Sequence, residues 1–182
     1  MEVLSRFTAS RFRRALFLSD FIPLSSNCAA LYSALARDLG LDGSVRFTGF
    51  RWDIAEVEAA FDVAVLPSVG CDASSASIKE AMALGVPVIA SDIGGARHII
   101  NDGVTGIIVR PGQADDLVSA LRALLDDRGT ARAMADRARE EVARRFSIGR
   151  LADQTLDAYA AALAGPRRAR QQAATLPAGK TA

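Results

Sequence analysis

Cysteine is scarce in this sequence, with Cys28 and Cys71 the only two in 182 residues, and His98 is the one histidine. Two thiols build neither a disulfide framework nor a thiolate cluster, and a single imidazole excludes a histidine-rich metal centre. No metal site is expected. Long hydrophobic runs are missing too. None approaches the ~18 residues of a membrane span, and the start lacks the basic, apolar, small order of a secretion signal. A cytoplasmic protein without a transmembrane segment is expected, with peripheral membrane contact left open. A dominant charge is also absent: Lys plus Arg is 22, Asp plus Glu is 21, and the net is +1. Composition therefore gives no argument for nucleic acid as a partner. The basic excess sits at the ends, with Arg6, Arg11, Arg13 and Arg14 in front and Arg167, Arg168, Arg170 and Lys180 behind. The body between them is mildly acidic.

What remains is an ordinary globular mixture, 50% hydrophobic and 24% charged, long enough for one domain and not comfortably two. Short apolar segments alternate with helical patterns. Candidate strands are Ala15 to Ser19, Val45 to Thr48, Asp62 to Leu66, Pro87 to Ser91 and Ile107 to Val109. Runs such as Val63-Ala64-Val65-Leu66 do not alternate, which suits parallel strands covered on both faces. Cys28, Leu31, Tyr32, Leu35 and Leu39 form a helical stripe that Gly40 stops. Leu117, Leu121, Leu124 and Leu125 form another, and Met134, Ala138 and Val142 a third on a helix from about Ala131 to Phe146. A fourth helix, from about Arg150 to Leu163, carries Leu151, Leu156, Tyr159 and Leu163. Strand–helix alternation with short glycine turns predicts an α/β fold with a doubly wound parallel sheet. The expected organisation is an irregular segment at 1–14, one domain at 15–164 and a disordered basic tail at 165–182.

The chemistry-bearing stretch runs from Asp62 to Gly112. A buried strand ends at Leu66, and Pro67-Ser68-Val69-Gly70-Cys71-Asp72-Ala73-Ser74-Ser75 leads into a helix carrying Lys79, Glu80 and Met82. In an open parallel sheet, ligands bind beyond the carboxyl ends of the strands. A Gly- and Ser-rich loop opening a helix offers backbone N–H groups and the positive end of the helix dipole to an anion. Ser68, Ser74 and Ser75 add hydroxyls. Alone, such a loop is more often a cap and a turn, and Lys79 and Glu80 can be read as exposed helix residues. Asp72 and Glu80, eight apart, place one carboxylate in the loop and one about two turns into the helix. Carboxylates there can accept hydrogen bonds from sugar hydroxyls. Gly94 and Gly95 follow the next strand and permit close backbone approach, although such a pair also marks a simple turn. Cys71 reads as loop filler, and His98 as a solvated or structural histidine.

Val45-Arg46-Phe47-Thr48-Gly49, Asp62-Val63 to Pro67-Ser68, Ile78-Lys79-Glu80-Ala81-Met82-Ala83-Leu84-Gly85-Val86-Pro87-Val88-Ile89-Ala90-Ser91, Gly94-Gly95 and Asn101-Asp102-Gly103-Val104-Thr105-Gly106 occur in one order. Together they resemble the carboxyl-terminal, donor-binding domain of the group 1 (family 4) GT-B glycosyltransferases, over about Ala15 to Leu163. The resemblance implies half of a GT-B fold and a retaining, metal-independent sugar transfer, of the hexosyltransferase type. The nucleotide-diphosphate sugar is its donor substrate, and no further cofactor is implied. The family's paired acidic motif falls on Asp72 and Glu80, which the resemblance makes the catalytic pair. Glu80 would hold the ribose hydroxyls and Asp72 would face the donor sugar. Ser68, Gly70, Ala73, Ser74, Ser75, Lys79, Gly94 and Gly95 would complete the donor site.

Three departures accompany the match. Asp72 is one methylene shorter than the family's glutamate. His98 stands where an acid is common after the Gly-Gly turn. The family's first strand, with its Gly-rich loop of Arg and Lys, has no counterpart before Ala15, and Arg13-Arg14 is not in that context. In the family's order that strand lies between those matching Ala15–Ser19 and Asp62–Leu66. Either Met1 to Phe12 fills the gap or the two strands close up. Marginal stability and self-association are expected, and the chain alone is expected to be inactive. A separate chain with an acceptor-binding Rossmann domain is the partner that would complete the enzyme. The alternative is a catalytically inactive nucleotide-sugar-binding or scaffold fragment. A flavodoxin-like regulatory domain fits less well, because no acidic phosphoacceptor stands at a strand end.

Overall fold

The apolar runs become parallel strands in the structure, a computed structural model that describes residues 15–17, 26–41, 44–48, 51–70 and 75–174. Strands β1 (Ala15–Phe17), β2 (Val63–Leu66), β3 (Val88–Ser91) and β4 (Ile107–Val109) form one sheet in the order β1-β2-β3-β4, every neighbouring pair parallel. The helices are α1 (Ser26–Asp38), α2 (Ile54–Glu58), α3 (Ala76–Ala83), α4 (Ala96–Ile99), α5 (Ala114–Asp126), α6 (Arg128–Arg145) and α7 (Ile148–Ala174).

Pleating sends successive side chains of a strand to opposite faces, so each buried strand feeds two cores. Val63, Val65, Ile89 and Val109 pack with Leu117, Leu121 and Leu124 of α5 and Met134 of α6. Ala64, Leu66, Val88 and Ala90 pack on the other face with Ile78 and Met82 of α3, Ile99 of α4, and Ala138 and Val142 of α6. Helices therefore cover both faces of a parallel sheet, as the unalternating strands required. Each fully buried Val, Leu, Ile or Met contributes about 1.5–3 kcal/mol, which explains why four strands of three or four residues suffice. The close fit shows at Gly106, where an added Cβ would sit 2.7 Å from Val88 Cγ2 and 3.1 Å from the Val88 carbonyl oxygen. Helix ends follow their glycines. Gly85, at φ +73°, closes α3 with its N–H on the Met82 carbonyl at 3.0 Å and the Val86 N–H on the Ala81 carbonyl at 3.0 Å. That pair of bonds uses the carbonyls a helix end leaves over, and the left-handed φ suits glycine.

Ala15, Leu16 and Phe17 pair directly with Val63, Ala64 and Val65, so the two inner strands close up, one of the two outcomes expected. The structure departs from the sequence reading at residues 45–48 and at its last helix. Val45 to Thr48 form no strand, and the α1 stripe is incompletely covered, with Leu31 64% exposed. Without a strand at 45–48 the sheet is not extended at this edge. The chain divides into two compact units, Met1–Ala143 and Arg144–Ala182, where one domain over 15–164 was expected. In α7 the residues Ile148, Leu151, Leu156, Tyr159 and Leu163 are all exposed, so they bury no stripe. This helix also continues to Ala174, past the expected start of a tail at 165. Arg, Gln and Ala are strong helix formers, and their propensity outweighs the lack of large apolar residues. The 1–14 segment and residues 175–182 lie outside the described residues. No helix among the described residues is long and apolar enough to cross a membrane.

Candidate functional site

The loops that leave β2 and β3 start side by side, because Leu66 and Ala90 are register partners in adjacent parallel strands. After β2, Pro67 and Ser68 are half-buried, while Val69 and Gly70 are exposed. Cys71, Asp72, Ala73 and Ser74 lie outside the described residues. Ser75 then caps α3 from the left-handed region, at φ 41° and ψ 52°, and it is 2% exposed. It is the one non-glycine with positive φ among the described residues. An L-residue held there is strained, and such outliers concentrate where a loop is shaped for a ligand. Ser75 makes no side-chain capping bond to the helix, so the first amides of α3 are not closed off by its hydroxyl. Lys79 is half-buried and Glu80 exposed, both on α3.

After β3, buried Ser91 leads into Asp92, whose carboxylate takes two bonds from Arg97, from Nε at 2.6 Å and from Nη2 at 2.6 Å. The guanidinium holds the Asp92 carboxyl below the usual carboxylate range, chiefly through these hydrogen bonds. This clamp spans the Gly94–Gly95 turn. Gly94 adopts φ 50°, and Gly95 is the cap of α4. His98 is exposed on that short helix. The β4–α5 loop reaches the same end of the sheet, since a Cβ on Gly112 would lie 3.9 Å from Val69 Cγ1. Three strand-to-helix loops thus meet at the carboxyl ends of the strands. Ser68, Gly70 and Ser75 lie on the loop after β2, Gly94 and Gly95 on the loop after β3, and Lys79 and Glu80 on α3.

Two residues in this neighbourhood were not singled out from the sequence. Gly112 follows the last strand in Pro111-Gly112, a recognisable turn signal that gives no hint of its neighbour. Glu58 sits in Glu56-Val57-Glu58, which reads as an exposed helix face. In the structure it is 1% exposed, and its Oε1 has no hydrogen-bond partner among the described residues. Burial, and after it the charge of Glu80, pushes the Glu58 carboxyl up to about 7. Glu58 is brought inward by the short helix α2. There Asp53, at the cap position, makes no cap bond, and its Oδ1 accepts from Arg51 Nε at 2.9 Å.

A cleft of about 400 Å³ lies at the other end of the sheet, next to Asp62 and Pro87, which precede β2 and β3, and Arg128 and Arg139 of α6. Arg128 pairs with Asp62 there at 3.5 Å. None of the site residues lines it. Among the described residues no cluster of three or more His, Cys, Asp or Glu could hold a metal ion.

Comparison with known proteins adds three findings. Residues 28–141 match the family described as Glycosyl transferases group 1. D-inositol 3-phosphate glycosyltransferase of Corynebacterium kroppenstedtii is 38% identical over 130 residues, covering 70% of this chain and 28% of that protein. The lipopolysaccharide core biosynthesis glycosyltransferase LpsE of Rhizobium meliloti is 32% identical over 126 residues, covering 69% of this chain and 37% of that protein. Among solved structures, Anabaena Alr3699/HepE in complex with UDP-glucose superposes with a TM-score of 0.79 at 25% identity, over 88% of this chain and 43% of that one. The chain therefore spans well under half the length of the relatives it matches.

Proposed function

The chain belongs to the group 1 glycosyl transferases, and from that membership we propose that the carboxyl ends of β2 and β3 bind a nucleoside-diphosphate sugar as the donor in glycosyl transfer. The observation that carries the reading is buried, left-handed Ser75 in the loop after β2, at the opening of a helix whose first amides its side chain does not cap. Those amides and the helix dipole suit a diphosphate. Exposed Glu80, the fifth residue of α3 and just over one turn in, accepts the ribose hydroxyls in this reading, a carboxylate being a pure acceptor when ionised. The family resemblance assigns Asp72 to the donor sugar and the amides of Ala73 and Ser74 to the phosphates, and Gly94 and Gly95 allow close approach. UDP is the favoured nucleotide, because the HepE structures hold UDP and UDP-glucose.

Binding a donor is not the whole reaction. Holding two reactants in register supplies ~7–11 kcal/mol in well-organised sites. The resemblance gives the acceptor's share to a second Rossmann-like domain, here proposed as a partner. A cytoplasmic location belongs to the same reading. Donor binding that is equal in ground and transition states does not speed the chemistry, so the 182-residue chain tested alone binds and does not turn over. The inactive-module alternative predicts that no acceptor-domain chain restores turnover.

The test of the donor site is calorimetric titration of UDP-glucose into the chain and into Glu80→Ala. Losing hydrogen bonds to a charged partner costs about 1–3 kcal/mol, and the variant should bind weaker by that amount. Equal affinity of parent and variant for every nucleotide sugar tested would sink the reading.

A further inference from the structure

Glu58 is the one buried residue of α2, and nothing in the donor reading uses it. Its surroundings do not suit a charge. The side chain is 1% exposed and Oε1 has no hydrogen-bond partner among the described residues. A buried, unpaired carboxylate is costly enough that the group takes up a proton instead. The charged group acting on it from the facing helix is Glu80 of α3, while Glu56 on its own helix is exposed. Both influences favour the neutral acid, and among the described residues no cation counters them. The orphaned acid and the exposed carboxylate come from two helices that flank β2, and the exposed one is the residue assigned to the ribose.

We propose that Glu58 is a positioning residue of the donor site: as a neutral acid it leaves Glu80 the single carboxylate at the ribose hydroxyls, and as an anion it adds a second negative charge near Glu80 and weakens the hold on an anionic nucleotide. The assignment rests on the donor-site reading and deepens it. Its consequence is a proton-linked affinity. Below neutral pH Glu58 is neutral and the site binds well. Above it, Glu58 repels both Glu80 and the diphosphate, and the donor is held less tightly.

UDP-glucose is the appropriate probe, because its diphosphate is a diester whose charge stays constant from pH 5.5 to 8.5. The affinity of the full chain is measured over that range beside Glu58→Gln and Glu58→Met, with near-ultraviolet circular dichroism confirming that each is folded. The parent's affinity should fall about three- to tenfold between pH 6 and 8.5, the scale of one added charge at partly screened range. The Gln variant should hold its low-pH affinity throughout. If Gln does not fold, the Met profile decides. A purely structural role changes stability and leaves the pH slope of binding as in the parent, so equal slopes in parent and variant overturn the assignment alone. No binding by the folded parent at any pH overturns the donor reading and this assignment with it.

Discussion

Replacing Glu58 by Gln should remove most of a pH dependence of stability that this one side chain imposes. An ordinary glutamate titrates at 4.5, the value expected in the unfolded chain, while burial and the nearby Glu80 raise the folded value to about 7. The folded state therefore binds more protons than the unfolded state between these limits. Stability depends on pH through that difference, so it is highest below pH 4.5 and falls as pH rises toward 7 and just beyond. At roughly 1.36 kcal/mol per pH unit, the gap corresponds to about 3 kcal/mol. Between pH 5 and pH 8 the parent should lose about 2–3 kcal/mol more than the variant, and in a chain of this size that is ~5–12 °C of melting temperature. Gln keeps the length and removes the titration. Its buried amide costs something at every pH, so the comparison is between slopes and not absolute values. Urea titrations of both proteins at pH 5 and pH 8, followed by circular dichroism, give the two differences. A parent as stable at pH 8 as at pH 5, or a Gln variant that loses as much as the parent, would refute the claim that Glu58 is buried and unpaired.

Gly106→Ala should destabilise by about 1–3 kcal/mol, the scale for overpacking a filled core, because its Cβ meets Val88 at 2.7 Å and backbone at 3.1 Å. Chemical denaturation of the variant checks this, and an unchanged midpoint would show that the Val88 contact yields freely. The chain should self-associate at micromolar concentration, since Leu31, Tyr32, Phe47 and Trp52 are left exposed. Sedimentation velocity across a concentration series reads this, and a monomer at every concentration would contradict it.

The central fold was legible because its signals are local and strong. Val63 to Leu66 and Val88 to Ala90 are apolar without interruption, a pattern that suits strands covered on both faces. Gly40 announced its helix end for the same reason, a left-handed turn that few other residues accept. The failures are long-range. Val45-Arg46-Phe47-Thr48 has the composition of a strand, but a strand exists only beside a partner, and propensity cannot supply one. The exposed stripe of α7 likewise satisfies helix periodicity without saying whether anything covers it. At the site, strand ends followed by Gly and Ser pointed to the loops that meet. The burial of Glu58 was invisible, because a glutamate two residues from another on a short helix ordinarily faces water. Its inward turn depends on how α2 and α3 lie against β2, and no local pattern encodes that.

The central claim is where a nucleotide sugar sits, and amide chemical-shift mapping tests it most directly. Titrating UDP-glucose into the isotope-labelled chain should move the amides of Ser68, Gly70, Ser75 to Glu80, Gly94 and Gly95, at the carboxyl ends of β2 and β3. Those of Asp62, Gly85, Arg128 and Arg139, at the opposite end of the sheet, should stay still. Shifts confined to that opposite end, or none at saturating ligand, would contradict the account.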